Sequence, residues 1–69
     1  MIRATIITKE GAIEETFCNE REDLAIFYAR HYLACKAQRE IKKFQIDIDD
    51  SVWIGSDRYT IEVIIKENS

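Results

Sequence analysis

His31 and Cys35 stand four residues apart, a spacing that projects both side chains from one face of a helix. An imidazole and a thiolate so placed supply half of a tetrahedral zinc site, or a base beside a nucleophile. His31 is the sole histidine, and Cys18 is the one further cysteine. No other His and no close Cys pair completes such a site, and there is no orienting third residue and no oxyanion motif. The expectation is no metal, no cofactor and no catalytic residue. His31 and Cys35 are read instead as packing between helix and sheet, where free Cys behaves as a small hydrophobe.

Asp47, Asp49, Asp50 and Asp57 form an acidic cluster. A calcium loop of the EF-hand kind needs a glycine at its sixth position and a glutamate at its twelfth. Counted from Asp47 the sixth position is Val52, so the pattern fails. The cluster reads as solvated hairpin ends, where Asp is favoured. With two glycines in the chain, no glycine-rich phosphate loop exists.

Two binding features remain. Arg30, Lys36, Arg39, Lys42 and Lys43 gather between mid-helix and the strand after it, a stripe that could track a phosphate backbone. Glu40 interrupts it, and cations are favoured near a helix C-terminus in any case. Trp53 sits in a short apolar run and could anchor an interface or fold over the sheet edge.

These residues need elements to hold them. Ile2 to Thr8 alternates with Ile2, Ala4 and Ile6 on one face; a connection through Gly11 leads to a weaker alternation, Ala12 to Phe17. Asn19 reads as a helix N-cap with Glu22 completing a capping-box-like pair. From Glu20 to about Gln38 strong helix formers run without Gly or Pro. Lys43 to Asp49 alternates with Phe44, Ile46 and Ile48 inward. Val52–Ile54 is a short apolar patch before Gly55, and Arg58 to Lys66 alternates again. Lys66 to Ser69 reads as a frayed tail. The expected fold class is α+β: an antiparallel sheet of four or five strands in β-β-α-β-β order, one long helix across one face, and a single domain over residues 1–69.

Stepping 100° per residue around the helix, Leu24, Phe27, Tyr28, His31, Ala34 and Cys35 form a broad apolar stripe. Ile26, Leu33 and Ala37 form a narrower one opposite. A helix on one sheet buries one stripe, so the broad stripe is expected inward and the narrow one outward. On that reading Leu33→Asp separates the protomers of a dimer and leaves the helix intact.

At 69 residues the core is small, and domains of this size usually gain stability from a disulfide, a metal or a partner. A helix between Cys18 and Cys35 holds them roughly 20–25 Å apart, far beyond the roughly 7 Å limit for a disulfide. Two free thiols suggest a reducing, cytoplasmic setting. The formal charge of −3 argues against a dedicated nucleic-acid binder, and no apolar run approaches the roughly 18 residues of a membrane span. Self-association or a protein partner remains. The expected function is a small non-enzymatic protein-binding module, a homodimer, that regulates or inhibits by surface occlusion through Ile26, Leu33, Ala37 and Trp53. Phage-encoded blockers of host defences or polymerases belong to this size class. The alternative is a nucleic-acid-binding regulator using the basic stripe.

Overall fold

The computed structural model describes residues 1–65; the tail read over Lys66 to Ser69 lies outside them. Five strands and one helix follow in the order β1 (Ile2–Thr8), β2 (Ile13–Asn19), α1 (Glu22–Arg39), β3 (Phe44–Ile46), β4 (Val52–Ile54) and β5 (Asp57–Ile65). They form one antiparallel sheet, ordered β2-β1-β5-β4-β3, with the helix across one face. The expected α+β class is what the chain adopts, with Val52–Ile54 as a strand of its own, bringing the sheet to five.

The two hairpin turns that depend on glycine are where the sequence puts them. Gly11 has φ +85° and Gly55 φ +60°, backbone settings open to a residue without Cβ. Gly55 and Ser56 make a two-residue link between β4 and β5, with glycine at the first central position as a type II′ turn requires.

The helix starts later than the capping pattern implies. Asn19 still pairs with Ile2 as the last residue of β2, and its Oδ1 accepts the Arg21 N–H at 2.9 Å. Arg21 is the N-cap and gives no side-chain cap. The helix ends in a Schellman arrangement, with Lys42 N–H donating to Ala37 C=O and Ile41 N–H to Gln38 C=O. That places Ile41 at φ +53°, a left-handed setting that β-branched residues rarely adopt.

Packing corrects the expected rotation of the helix. Ala25, Ala29, Leu33 and Ala37 face the sheet and are buried, Leu33 with 0% exposure. Phe27 and Tyr28 point away at 57% and 45% exposure, and His31 is exposed with them. The reason is volume. The sheet side of the core is filled by Ile6, Val52, Ile54 and Tyr59, with Phe17, Phe44 and Ile61 around them. A helix can approach so bulky a surface only with a small-residue face at dense packing. The proposed docking flank is thereby overturned for Leu33 and Ala37, which are core residues; Ile26 is half-buried beside them.

The third strand is also shorter than its alternation implies. It stops at Ile46, and only Phe44 packs on the core. Ile46 pairs with the buried Val52 but lies on the outermost strand and remains exposed, as does Ile48 in the following turn.

Replacing Leu33 with Asp buries an uncompensated charge where removing the side chain alone would cost about 2–5 kcal/mol. The far-ultraviolet helix signal of Leu33→Asp is expected to collapse at 25 °C, while Phe27→Asp retains it. A folded Leu33→Asp would contradict the packing.

Candidate functional site

Taking the buried Leu33 as the bottom of the helix, Tyr32 and Lys36 lie on the flank above β2, and Ile26 and Arg30 on the other. Each flank is tethered. The Tyr32 hydroxyl and Lys36 Nζ both donate to Glu14 Oε2 at 3.1 Å, and the Phe17 ring lies 5.7 Å from that of Tyr32. Across the helix, Arg30 reaches Asp50 Oδ1 at 3.4 Å. The carboxylate of Glu14 holds Lys36 above its ordinary range. Burial, then Glu14, pushes the Tyr32 phenol up as well.

Between the second flank and the sheet lies a groove of about 250 Å³ lined by Glu22, Ile26, Arg30, Asp50, Ile61 and Val63. Its floor exists because the strands are unequal. β5 runs from Asp57 to Ile65, but β4 pairs only with Asp57 to Tyr59. The two-residue turn makes Ile54 and Asp57 its closing hydrogen-bonded pair. Gly55 N–H donates to Lys43 C=O at 2.8 Å, so Gly55 and Trp53 turn their backbone groups to β3, and Val52 and Ile54 turn theirs to β5. By alternation, Tyr59, Ile61 and Val63 direct backbone groups toward the β4 side. Past Tyr59 no strand among the described residues meets them there. The N–H and C=O groups of Ile61 and Val63 form an open edge above the groove, unpaired among the described residues. Arg30 Nε, in the groove wall, is buried and has no hydrogen-bond partner.

The other candidate residues fall elsewhere. Trp53 sits half-buried on the sheet face away from the helix, its Nε1 donating to Asp47 Oδ2 at 3.1 Å; it is not in the groove. The basic stripe is largely neutralised: Arg30 meets Asp50, Lys36 meets Glu14 and Glu40, and Lys42 meets Glu40 and Asp57. Arg39 and Lys43 carry no such ion pair among the described residues. The acidic cluster is consumed locally: Asp49 accepts the Ser51 hydroxyl and N–H and the Arg58 guanidinium, and the Ser51 hydroxyl holds its carboxyl below the usual range. Asp57 takes Lys9. No cluster of three or more metal-ligating side chains occurs in one chain among the described residues. Cys18 and Cys35 are free thiols. No helix among these residues is long and apolar enough to cross a membrane.

The open edge escapes a reading by side-chain type because backbone groups form it. Its trace in the sequence is the mismatch between the short run Val52–Ile54 and the long alternation after Gly55. No family model, curated protein or solved structure matches the chain significantly.

Replacing Glu14 with Gln removes the charge that Lys36 and Tyr32 share, and is expected to cost about 1 kcal/mol near neutral pH. Both partners have folded values above their ordinary 10.5 and 10.0. Their contribution is therefore fully present below those values and is lost as pH rises through the raised ones. Urea titrations of both proteins should show the stability gap shrinking above about pH 10.5. A gap that holds constant through that range would contradict the pairing.

Proposed function

We propose that this chain is a protein-binding module that accepts an extended segment of its partner along the free edge of β5. One observation carries the reading: the pairing of β4 with β5 ends at Tyr59, so beyond it the backbone groups of Ile61 and Val63 that face away from β1 meet no strand among the described residues, beside a groove. An exposed edge is a template for another strand, and natural sheets usually blunt or cover it. Here the neighbouring groove offers something further. A strand added antiparallel or parallel to β5 would place alternate side chains over Ile26, Ile61 and Val63, as in recognition by strand addition. The occupant is therefore an extended peptide with apolar residues at every second position. An acceptor on its backbone or side chain would satisfy Arg30 Nε.

Ile26 keeps its place in the docking surface, at the groove wall. Leu33 and Ala37 act from beneath by holding the helix down, and Trp53 lies outside. Withdrawing a strand from its own protein, or covering it, makes such a module a regulator or inhibitor that works by occlusion. The ion-paired state of Arg30, Lys36 and Lys42 supports this over a phosphate-binding stripe. Binding at an apolar groove should also persist at salt concentrations that weaken phosphate contacts steeply.

The test uses the position of one N–H. Val63 turns its N–H outward, whereas Glu62 pairs with Thr5 of β1 and serves the internal ladder. Proline is tolerated on the open side of an edge strand. Selection of displayed random peptides against the whole chain should enrich alternating apolar sequences. Val63→Pro should remain folded and weaken their binding about tenfold, equivalent to about 1.4 kcal/mol. Glu62→Pro should disrupt the fold. Enrichment without alternation, or binding unchanged in a folded Val63→Pro, would overturn strand addition.

A further inference from the structure

We infer that His31 and Cys35 are half of a zinc site that two copies of this chain complete. The pair sits on the solvent side of α1, away from the strand-accepting groove. His31 Nε2 and Cys35 Sγ lie 3.5 Å apart. Tetrahedral zinc holds imidazole nitrogen at about 2.0–2.1 Å and thiolate sulfur at about 2.3 Å, which sets two such ligand atoms about 3.5 Å apart. The side chains therefore already have the mutual spacing of neighbouring ligands on one ion. The His31 ring is steadied by Phe27, whose ring lies 11° from parallel at 6.0 Å. One chain offers two ligands and no more among its described residues. A structural zinc site takes four, and two histidines with two cysteines are a common set.

The surrounding surface specifies a second copy as the source of the other two. Phe27, His31, Cys35 and Arg39 follow one another at intervals of four and form one ridge of the helix, of the kind that packs against a like ridge. A twofold axis passing between residues 31 and 35 brings His31 and Cys35 of both copies to a common point. It also sets position 27 of one helix opposite position 39 of the other. Phe27 is 57% exposed, and Arg39 is exposed and forms no ion pair among the described residues. Their apposition places a guanidinium on an aromatic face, twice per dimer. Tyr28, packed edge-on to Phe27 at 5.6 Å, extends the same apolar surface. Coordination deprotonates the Cys35 thiol and takes His31 as the neutral imidazole, so each bound ion releases the protons these groups carried.

The experiment uses the whole chain under a phosphine reductant, which prevents disulfides from linking copies. Zinc is titrated in competition with a chromophoric chelator, and the oligomeric state is followed by light scattering. Cobalt serves as the spectroscopic probe. The proposal expects one zinc per two chains, conversion of monomer to dimer on addition of zinc, and reversal by chelator. Bound cobalt should show intense tetrahedral d–d bands with a thiolate charge-transfer band. Cys35→Ser and His31→Gln, both at solvent-accessible positions, should each weaken zinc binding by at least the roughly 10–100-fold that losing an outer-shell partner costs. Cys18→Ser should bind as wild type. Arg39→Glu should weaken zinc-linked dimerisation while the cobalt spectrum of the dimer keeps its thiolate band. Binding of one zinc per monomer, octahedral cobalt without a thiolate band, or equal loss in Cys18→Ser would overturn it. Since the peptide groove contains neither residue, failure here leaves strand addition standing, and the reverse.

Discussion

The close seating of a small-residue helix face on a bulky sheet is the contact from which the rest of this molecule follows. Ala25, Ala29 and Ala37 bring the α1 backbone toward the sheet, while Leu33 fills the space among Ile6, Val52, Ile54 and Tyr59. Burying Leu33 alone is worth about 1.5–3 kcal/mol, a large share of what a domain this small can hold in reserve. The alanines contribute less by area, but they set the distance and so the contacts of every other core side chain. Tyr32 and Lys36 on one flank and Arg30 on the other fix the rotation through Glu14 and Asp50. Once the helix is set this way, its aromatic side has no place but solvent.

Both proposed interaction sites are consequences of that seating. With its small face down and its narrow flanks tethered, the helix covers one face of the sheet and leaves the β5 edge uncovered beside Ile26. The groove forms where β4 falls short of the longest strand, beside the helix flank of Ile26 and Arg30. On the far side, the ridge of Phe27, His31, Cys35 and Arg39 is displayed as a continuous surface. The two sites use different chemistry, backbone groups in one and metal-ligating side chains in the other. They lie on different sides of one rigid helix, so a chain could hold an extended segment and a second copy together.

Much of the architecture was legible in the residues. Gly11 and Gly55 announce two turns, the period-two runs announce β1 and β5, and the long stretch without glycine or proline announces the helix. The helix orientation was not legible, because apolar residues lie on both sides of it. Ranking stripes by bulk favours Phe27 and Tyr28, whereas the sheet rewards the face that fits. The deciding quantity is the volume already supplied by the opposing strands, and no single segment reports it. Asn19 misled for a related reason: its side chain suits a cap, but pairing with Ile2 keeps it in the strand. Ile46 and Ile48 follow the alternation and stay exposed, Ile46 because it lies on the outermost strand and Ile48 because pairing stops before the pattern does. The spacing of His31 and Cys35 was visible from the outset. What the sequence withheld was that the pair lies on the side of the helix away from the sheet.

The rotation of the helix is the claim to test first, and solvent paramagnetic relaxation by an inert gadolinium chelate measures it residue by residue in solution. Dilute, metal-free protein should show strong enhancement at the Phe27 and Tyr28 ring protons and at His31, with the Leu33 methyls and the Ala29 and Ala37 methyls shielded. Strong enhancement at Leu33 and Ala37 with protected Phe27 and His31 would mean that the helix is turned the other way, and both sites would go with it.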